Sequence, residues 1–346
     1  MSVNPSPTVD TAELEEISLA LARGKGILAA DESMGTIKKR FAPIGVESTE
    51  ENRRFYRGML FEAEGAEEFI SGVILFDETI RQKASDGTPF PELLARKGII
   101  PGIKVDTGTK PLAGSDGEKI TEGLDGLRPR LEEYHALGGR FAKLRTVYSI
   151  GAGLPTRYCV EANSHVQAYY AALCVEQGLV PIVEPEVLMD GDHSIDACYD
   201  TTLRVLRSVF ARLSLYQVPL PKILLKTNMV LSGKEAGDRA GVEEVARRTL
   251  ECFHEVLPPE LPGVVFLSGG QTEEEATAHL NEINRQAGDD APWHLSFSYG
   301  RALQASALDI WRGDAGNAGA AQEAYLKRAK LNAAAVHGSY TAEMER

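Results

Sequence analysis

The 346-residue sequence predicts an α/β fold: a single (β/α)8 (TIM) barrel with an extra N-terminal helix and C-terminal helices and tail. Eight short apolar runs alternate with helical patterns, which is typical of parallel strands. No Gly-x-Gly-x-x-Gly or Gly-x-x-x-x-Gly-Lys loop follows an early strand, so a doubly wound nucleotide-binding sheet lacks its usual motif. Polar residues close nearly every strand at its C-terminal end, where barrels carry their active sites.

The elements follow in a regular order along the chain, and no domain boundary interrupts residues 1–346. Residues 1–10 are expected to be a loose arm, 11–23 the extra helix and 337–346 a short tail. The predicted strands are Gly26–Asp31, Phe69–Phe76, Ile99–Asp106, Gly139–Arg145, Leu179–Glu186, Lys222–Val230, Val264–Gly270 and His294–Gly300. Helices are predicted at Asn52–Glu64, Pro91–Arg96, Asp125–Leu137, Val160–Gln177, Ile195–Leu215, Val242–Val256 and Thr272–Gln286. After Arg301 come a further helix, a Gly/Ala/Asn loop near Gly313–Gly319 and a last helix around Glu323–Val336.

Charge and composition exclude several classes of partner. The net charge of −13 disfavours nucleic acid or an anionic membrane as a partner. No apolar run approaches the roughly 20 residues of a membrane span, and no signal sequence is visible, so we expect a cytosolic protein. The cysteines at 159, 174, 198 and 252 are widely spaced, which indicates buried reduced thiols rather than zinc ligands or disulfides.

Lys226 is the first candidate for chemistry, because it lies near the C-terminal end of a strand that is apolar on both faces. Desolvation inside a barrel favours a neutral, nucleophilic amine, and such lysines form Schiff bases with carbonyl substrates. The alternative is a strand-end lysine that reaches solvent.

Two neighbouring strands carry paired charges. Because i and i+2 share a face of a strand, Lys143 and Arg145 point the same way, as do Glu184 and Glu186. If they face the interior, they lie beside Lys226, and Lys143 lowers its pKa as a like charge. Glu184 is then placed to move protons, and repulsion between the two glutamates predicts that one holds its proton near neutral pH. A purely structural ion-pair layer is the alternative.

Asp31 ends the first strand. A carboxylate at this point can accept the proton of a substrate hydroxyl while a carbon–carbon bond breaks. An aspartate that only caps a loop is the alternative.

The seventh and eighth strands predict an anion site. The turn Ser268-Gly269-Gly270 brings bare N–H groups towards a helix whose start, Thr272–Glu275, is a capping-box pattern. Ser298, Gly300 and Arg301 add a second small turn and a guanidinium that can bind phosphate. Glycines needed only for tight turns are the alternative.

A second cationic group follows the first strand and includes a lysine of the third. Its members are Ser33, Thr36, Lys38, Lys39, Arg40 and Lys104. Part of the run 38–40 could instead be a solvated helix face. Two anion sites on either side of one Schiff-base lysine describe a bisphosphorylated sugar. The scattered histidines predict no metal site, and no cofactor is expected.

Several segments together resemble class I fructose-1,6-bisphosphate aldolase from about residue 11 to residue 340. The matching stretches are Leu28–Ser33, Glu50–Tyr56, Gly102–Asp106, Pro181–Glu186, Leu224–Lys226, Asn228–Val230, Phe266–Gln271 and Ser298–Leu308. The resemblance implies a metal-independent, homotetrameric, cytosolic or plastid enzyme. It would cleave fructose 1,6-bisphosphate to dihydroxyacetone phosphate and glyceraldehyde 3-phosphate.

The resemblance also implies roles for the residues. Lys226 forms the iminium, Glu184 is the acid and base for dehydration, Asp31 takes the C4-hydroxyl proton, and Lys143 and Glu186 support them. The ketone-side phosphate is implied to contact Ser268, Gly269, Gly270, Gly300 and Arg301, and the distal phosphate Ser33, Thr36, Arg40 and Lys104. Arg145 and Ser298 complete the predicted substrate site.

The chain departs from the pattern of animal and plant relatives at a few positions. Those relatives commonly end in a tail closing with a tyrosine, which this sequence lacks after Tyr340, and Thr107, Leu144 and Thr227 replace Lys, Trp and Pro. Activity is expected to survive, because these residues only flank the catalytic set. The rival hypotheses are a non-catalytic sugar-phosphate-binding scaffold and a transaldolase-like or deoxyribose-phosphate aldolase-like enzyme acting on another phosphosugar.

Overall fold

Eight parallel strands close into a barrel in the computed structural model, which describes residues 11–346. The predicted arm, 1–10, lies outside the described residues. The strands of residues 11–346 are β1 (Gly26–Ala29), β2 (Ile70–Leu75), β3 (Ile100–Lys104), β4 (Thr109–Pro111), β5 (Lys119–Thr121), β6 (Phe141–Tyr148), β7 (Val180–Val187), β8 (Leu224–Thr227), β9 (Gly263–Phe266) and β10 (His294–Tyr299). The barrel order is β1-β10-β9-β8-β7-β6-β3-β2, and it confirms the predicted fold and all eight predicted strands.

The hairpin of β4 and β5 lies outside the barrel and was not predicted. Each of its strands has three residues, and most of these side chains are at least partly exposed. A segment this short has too few residues for a period-2 apolar pattern to be visible in the sequence.

Helices connect the barrel strands and surround them. They are α1 (Thr11–Ala22), α2 (Met34–Phe41), α3 (Glu50–Glu62), α4 (Asp77–Ile80), α5 (Phe90–Arg96), α6 (Leu127–Ala136), α7 (Arg157–Glu176), α8 (Ile195–Leu215), α9 (Val242–Val256), α10 (Glu273–Ala287), α11 (Arg301–Trp311) and α12 (Ala318–Val336). The predicted helices are present within a few residues of their expected bounds, whereas α4 was not predicted and α2 was expected only as the alternative for residues 38–40. Among residues 11–346, no helix combines the length and the apolar character that a membrane crossing requires.

The last helix begins earlier than its predicted start around Glu323. The predicted loop Gly313–Gly319 is shorter, because a 3-10 turn at Ala315–Asn317 leads directly into α12 at Ala318. Three of the first four residues of α12 are alanine, the best helix former, and they outweigh the cost of the single Gly319.

Hydroxyl caps fix where several helices begin. A Ser or Thr side chain accepts the N–H of the third helical residue in α2, α3, α7, α8 and α10; the caps are Ser33, Thr49, Thr156, Ser194 and Thr272. At α10 the predicted capping box is complete, since Glu275 accepts the N–H of Thr272 in return.

Helix α1 closes the N-terminal end of the barrel. Leu14 and Leu21 pack in one apolar cluster with inward-facing strand residues such as Ile27, Phe141 and Leu224. Gly102 leaves room for the Phe141 ring, because a Cβ at that glycine would lie 2.3 Å from ring atoms. The apolar interior is therefore filled from one end, and the polar side chains lie at the carboxyl ends of the strands.

The predicted tail, 337–346, is bound to the barrel wall. Two oxygens of Glu345 accept hydrogen bonds of 2.7 and 2.6 Å from the buried Arg328 of α12. The Tyr340 hydroxyl also donates to Glu345, at 2.9 Å. The charge of Arg328 is neutralised in this way, and the tail is held beside α12.

Candidate active site

The carboxyl ends of the barrel strands surround a cavity of about 220 Å³. Fifteen of the sixteen predicted site residues line it: Asp31, Ser33, Thr36, Arg40, Lys104, Lys143, Arg145, Glu184, Glu186, Lys226, Ser268, Gly269, Ser298, Gly300 and Arg301. Gly270 is the exception, because it is exposed and a Cβ at this glycine would face the sulfur of Met189. Residues at or directly after seven of the eight predicted strands are thus brought to one place.

Four buried side chains form a continuous series of contacts at the centre of the cavity. The Lys226 amine lies 3.1 Å from Glu184 Oε1, and the Lys143 amine lies 3.0 Å from Glu184 Oε2. Lys143 also lies 2.6 Å from Asp31 Oδ2. None of the four residues is more than 8% exposed. The buried charges are therefore paired, and the Lys226 amine has a carboxylate within proton-transfer distance.

The two lysines keep both carboxylates ionised. Burial alone would raise the pKa of Glu184 and of Asp31, but the nearby Lys143 and Lys226 cations outweigh burial, and both pKa values lie below their ordinary range. Burial would lower the pKa of Lys143, yet Asp31 and Glu184 outweigh it and raise that pKa.

One expectation about the glutamates is therefore wrong for Glu184. Glu184 and Glu186 were expected to repel each other so that one holds its proton near neutral pH. Glu184 instead contacts the side-chain nitrogens of Lys143 and Lys226, and Glu186 pairs with Arg145 at 2.5 Å. The cations beside Glu184 therefore keep its pKa low, so Glu184 is not the glutamate that holds a proton.

Strand register explains how these side chains meet. β6 and β7 are parallel neighbours in which Arg145 is paired with Glu184 and Val147 with Glu186. β8 follows β7 around the barrel and carries Lys226. The period-2 prediction that Lys143 and Arg145 share the inner face with the two glutamates is confirmed by the cavity that they all line.

The turn after β9 has the groups of an anion site. Gly269 adopts a left-handed φ of +60°, which favours glycine. Among the hydrogen bonds of residues 11–346, none is donated by the N–H groups of Ser268, Gly269 or Gly270. The buried Ser298 hydroxyl also lacks a partner within this range. Ser268, Gly269 and Ser298 line the cavity together with Arg301, the first residue of α11, and their free donors can bind a dianion there.

The second cationic group lies across the cavity, beside β1 and β3. Ser33 caps α2, and its hydroxyl is 3.1 Å from that of Thr36. The Lys104 amine is 3.1 Å from Asp106 Oδ1 and also lies over the Phe76 ring. Lys38 and Lys39 are exposed and do not line the cavity, so the solvated-face interpretation is correct for them.

Arg40 lies closer to the eighth strand than its sequence position suggests. A Cβ at Gly300 would lie 3.4 Å from Arg40 Nη2, so the guanidinium is beside the β10 turn. From its sequence position, Arg40 was expected to lie with Ser33, Thr36 and Lys104 only. In the structure it lies between the two predicted anion sites.

Glu32 was missed by the sequence analysis. It lines the cavity, is 7% exposed, and accepts a hydrogen bond from Arg40 Nη1. Gln304 Nε2 donates to the same carboxylate oxygen at 3.1 Å, and Arg57 lies 3.6 Å from the other oxygen. The only sequence signal was its place directly after Asp31.

Within residues 11–346, no three His, Cys, Asp or Glu side chains are grouped closely enough to hold a metal ion. The lining residues are instead lysines, arginines, carboxylates and hydroxyls. A buried amine beside an ionised carboxylate can carry out carbonyl addition with proton transfer.

Comparisons with known proteins agree with this arrangement. The family model described as fructose-bisphosphate aldolase class-I matches residues 13–346. A relative from Xanthomonas campestris, named probable fructose-bisphosphate aldolase class 1, is 56% identical over 95% of this chain and 98% of its own length. Human fructose-bisphosphate aldolase C is 51% identical over 95% of this chain and 90% of its own length.

A solved structure supports the same family. Fructose-bisphosphate aldolase from Plasmodium falciparum, determined in complex with TRAP and a small-molecule inhibitor, superposes with a TM-score of 0.95. Its sequence is 48% identical, and the match covers 98% of each chain. The chain therefore belongs to the class I fructose-bisphosphate aldolase family, and it is a lyase.

Proposed function

We propose that this protein reversibly cleaves fructose 1,6-bisphosphate to dihydroxyacetone phosphate and glyceraldehyde 3-phosphate through a Schiff base on Lys226. The single observation that carries the proposal is the contact between the buried Lys226 amine and Glu184, 3.1 Å apart. Lys143 lies on the far side of the same carboxylate. The family membership supports the substrate class.

Glu184 begins the cycle as a base in this proposal. Its lowered pKa means that it is ionised, and its contact with Lys226 places it to take a proton from that side chain. The free amine adds to the C2 carbonyl of the ketose to give a carbinolamine. The protonated Glu184 then returns its proton to the carbinolamine hydroxyl, water leaves, and the iminium forms.

Asp31 is the base for carbon–carbon cleavage. It takes the proton of the C4 hydroxyl, the C3–C4 bond breaks, and the bonding electron pair moves into the iminium to give an enamine. Glyceraldehyde 3-phosphate leaves at this point. The proton held by Asp31 then returns to C3 of the enamine, and hydrolysis of the resulting iminium releases dihydroxyacetone phosphate and restores the amine. The low pKa of Asp31 keeps it ionised for this step.

Lys143 serves both carboxylates because it contacts each of them. Its positive charge stabilises the ionised form of Glu184 and Asp31 before each proton transfer. Glu186 supports Arg145 by an ion pair at the rim of the same cavity. The roles proposed for Lys143 and Glu186 rest on these ion-pair contacts.

Two anion sites hold the ends of the substrate. The turn Ser268-Gly269-Gly270 with Ser298, Gly300 and Arg301 is proposed to bind the ketone-side phosphate. Ser33, Thr36 and Lys104 are proposed to bind the distal phosphate. Arg40, which lies between the sites, can approach either one.

An aldol-cleavage assay with a chelator present tests the proposal. The enzyme is expected to form both triose phosphates from fructose 1,6-bisphosphate at the same rate with and without chelator, because the iminium receives the electrons. It should prefer this substrate to other phosphosugars. Absence of cleavage would support the scaffold hypothesis, and preference for another phosphosugar would support the rival enzyme class. The homotetramer and the cytosolic location stay predictions.

A further inference from the structure

A buried side-chain amide, that of Gln271, is hydrogen-bonded to the turn Ser268-Gly269-Gly270 that is proposed to bind phosphate. Gln271 is 2% exposed and follows Ser268-Gly269-Gly270 directly. Its backbone N–H donates to the Ser268 carbonyl at 3.0 Å, and its side-chain Nε2 donates to the same carbonyl at 3.1 Å. Nε2 also lies 3.7 Å from the sulfur of Met229, three residues after Lys226. One side chain thus joins the turn to the segment that follows the proposed nucleophile.

A buried histidine fixes the direction of that amide. His279 of α10 is 5% exposed, and its Nδ1 lies 2.6 Å from Gln271 Oε1. Because Nε2 of Gln271 faces the Ser268 carbonyl, Oε1 faces the imidazole and must accept. Nδ1 of His279 therefore carries the hydrogen that is donated. A flipped amide would set two oxygens against each other at Ser268.

The charged groups near His279 leave it neutral. Burial lowers the pKa of His279 to about 4; Glu275 opposes this shift and Arg239 adds to it. Glu275 is itself occupied by the α10 cap and by an ion pair with Arg239 at 3.2 Å. The imidazole is therefore a neutral donor near pH 7 and holds the Gln271 amide without adding charge under the phosphate site.

We propose that His279 and Gln271 are positioning residues of the phosphate-binding turn. His279 holds the Gln271 amide, the amide holds the Ser268 carbonyl, and the turn keeps its N–H groups free for the phosphate of a ketose. The inference rests on the proposed function, because it assigns the ketone-side phosphate to this turn. It predicts that the two residues serve phosphate binding rather than the chemistry at Lys226.

Two ketones separate phosphate binding from chemistry. Dihydroxyacetone phosphate has the phosphate and dihydroxyacetone lacks it, while both can form a Schiff base. The readout is the ketone concentration that gives half-maximal borohydride trapping. His279→Leu is expected to raise it about tenfold for dihydroxyacetone phosphate and less than about twofold for dihydroxyacetone, since one buried hydrogen bond is lost.

Conservative and remote variants complete the design. His279→Asn keeps an N–H donor and is expected to stay within about threefold of wild type for both ketones. His294→Leu, at the opposite end of the barrel, is the matched control and should change neither value. If His279→Leu does not fold, Gln271→Met removes the same hydrogen bonds from the other side and is expected to discriminate the ketones in the same way.

The outcomes distinguish this inference from the proposed function. If wild type traps neither ketone, the proposed function fails. If wild type traps both ketones, but the folded His279→Leu or Gln271→Met variant raises the half-maximal concentration equally for both ketones, or for neither, the positioning role is overturned. The positioning role is also overturned if His279→Leu and His279→Asn give the same half-maximal concentrations, because Asn keeps an N–H donor and Leu has none.

Discussion

The Lys143 amine lies 2.6 Å from Asp31 Oδ2, and this contact joins the first barrel strand to the fourth across the cavity. The same amine contacts Glu184, so one cation neutralises two buried carboxylates. Removing one partner of a buried ion pair costs more than removing both, because the remaining charge stays buried and unpaired.

Lys143→Met is expected to destabilise the protein by about 3–5 kcal/mol near pH 8. In wild type, the lowered pKa values of Asp31 and Glu184 contribute stability above the ordinary carboxyl pKa, and this is lost as pH falls through the folded-state values. Without Lys143, the burial of Asp31 is opposed less, and its folded-state pKa is expected to rise above the ordinary carboxyl pKa. Stability of the variant is then lost as pH rises.

The difference between wild type and Lys143→Met should therefore grow from about pH 5.5 to about pH 8. Denaturant unfolding at both pH values measures it. Lys234→Met is the control: its ion pair with Asp190 is exposed and screened by solvent, so the stability of this variant should stay close to that of wild type at both pH values. A Lys143→Met effect that is the same at both pH values contradicts the assignment of Lys143 as the shared counter-ion.

Asp31→Asn is expected to separate Schiff-base formation from bond cleavage. The amide cannot take the C4-hydroxyl proton, so cleavage of fructose 1,6-bisphosphate should fall by about a hundredfold or more. Borohydride trapping of dihydroxyacetone phosphate on Lys226 should continue, because Glu184 is intact. Asp190→Asn, at an exposed loop, is the control. Equal loss of trapping and cleavage would remove Asp31 from the cleavage step.

Arg301→Ala is expected to weaken substrate binding by about 1.5–3 kcal/mol, the contribution of a charged hydrogen bond. Steady-state kinetics with fructose 1,6-bisphosphate measures the change in kcat/KM. Arg285→Ala tests a guanidinium that is exposed and paired with Glu282 on α10, and it should have no effect. Unchanged kinetics for Arg301→Ala would exclude it from the phosphate site.

The four cysteines are expected to resist alkylation in the folded protein. All four are buried, and burial raises the pKa of Cys159 to about 11 and of Cys252 to about 12, with higher values than usual also for Cys174 and Cys198. Iodoacetamide near pH 7.5 should label none of them until denaturant is added. Ala320→Cys, on the exposed face of α12, supplies a reactive control. Rapid native labelling of any native cysteine contradicts this account.

The sequence predicted the barrel and most of the site because both depend on short-range periodicity. Alternation placed Lys143 with Arg145 and Glu184 with Glu186, and the strand-to-helix turns marked Ser268 and Gly300. These residues line one cavity because the strands are parallel and close into a barrel, which brings their carboxyl ends together.

Contacts across the barrel could not be predicted in the same way. The bridge from Lys143 to Asp31 depends on barrel closure, and the approach of Arg40 to Gly300 depends on the entry angle of α2. Glu32 was not singled out from the sequence, although its carboxylate is buried with Arg40, Arg57 and Gln304. His279 and Gln271 are eight residues apart, a separation that indicates no contact until the turn before α10 is known.

Reduction with borohydride in the presence of dihydroxyacetone phosphate, followed by peptide mapping, tests the central claim most directly. The proposed covalent role of Lys226 predicts one stable adduct on this residue in wild type. It also predicts no adduct in a folded Lys226→Ala variant, whose activity should fall below about one thousandth of wild type. An adduct on another lysine, or none during measurable turnover, would contradict the role assigned to Lys226.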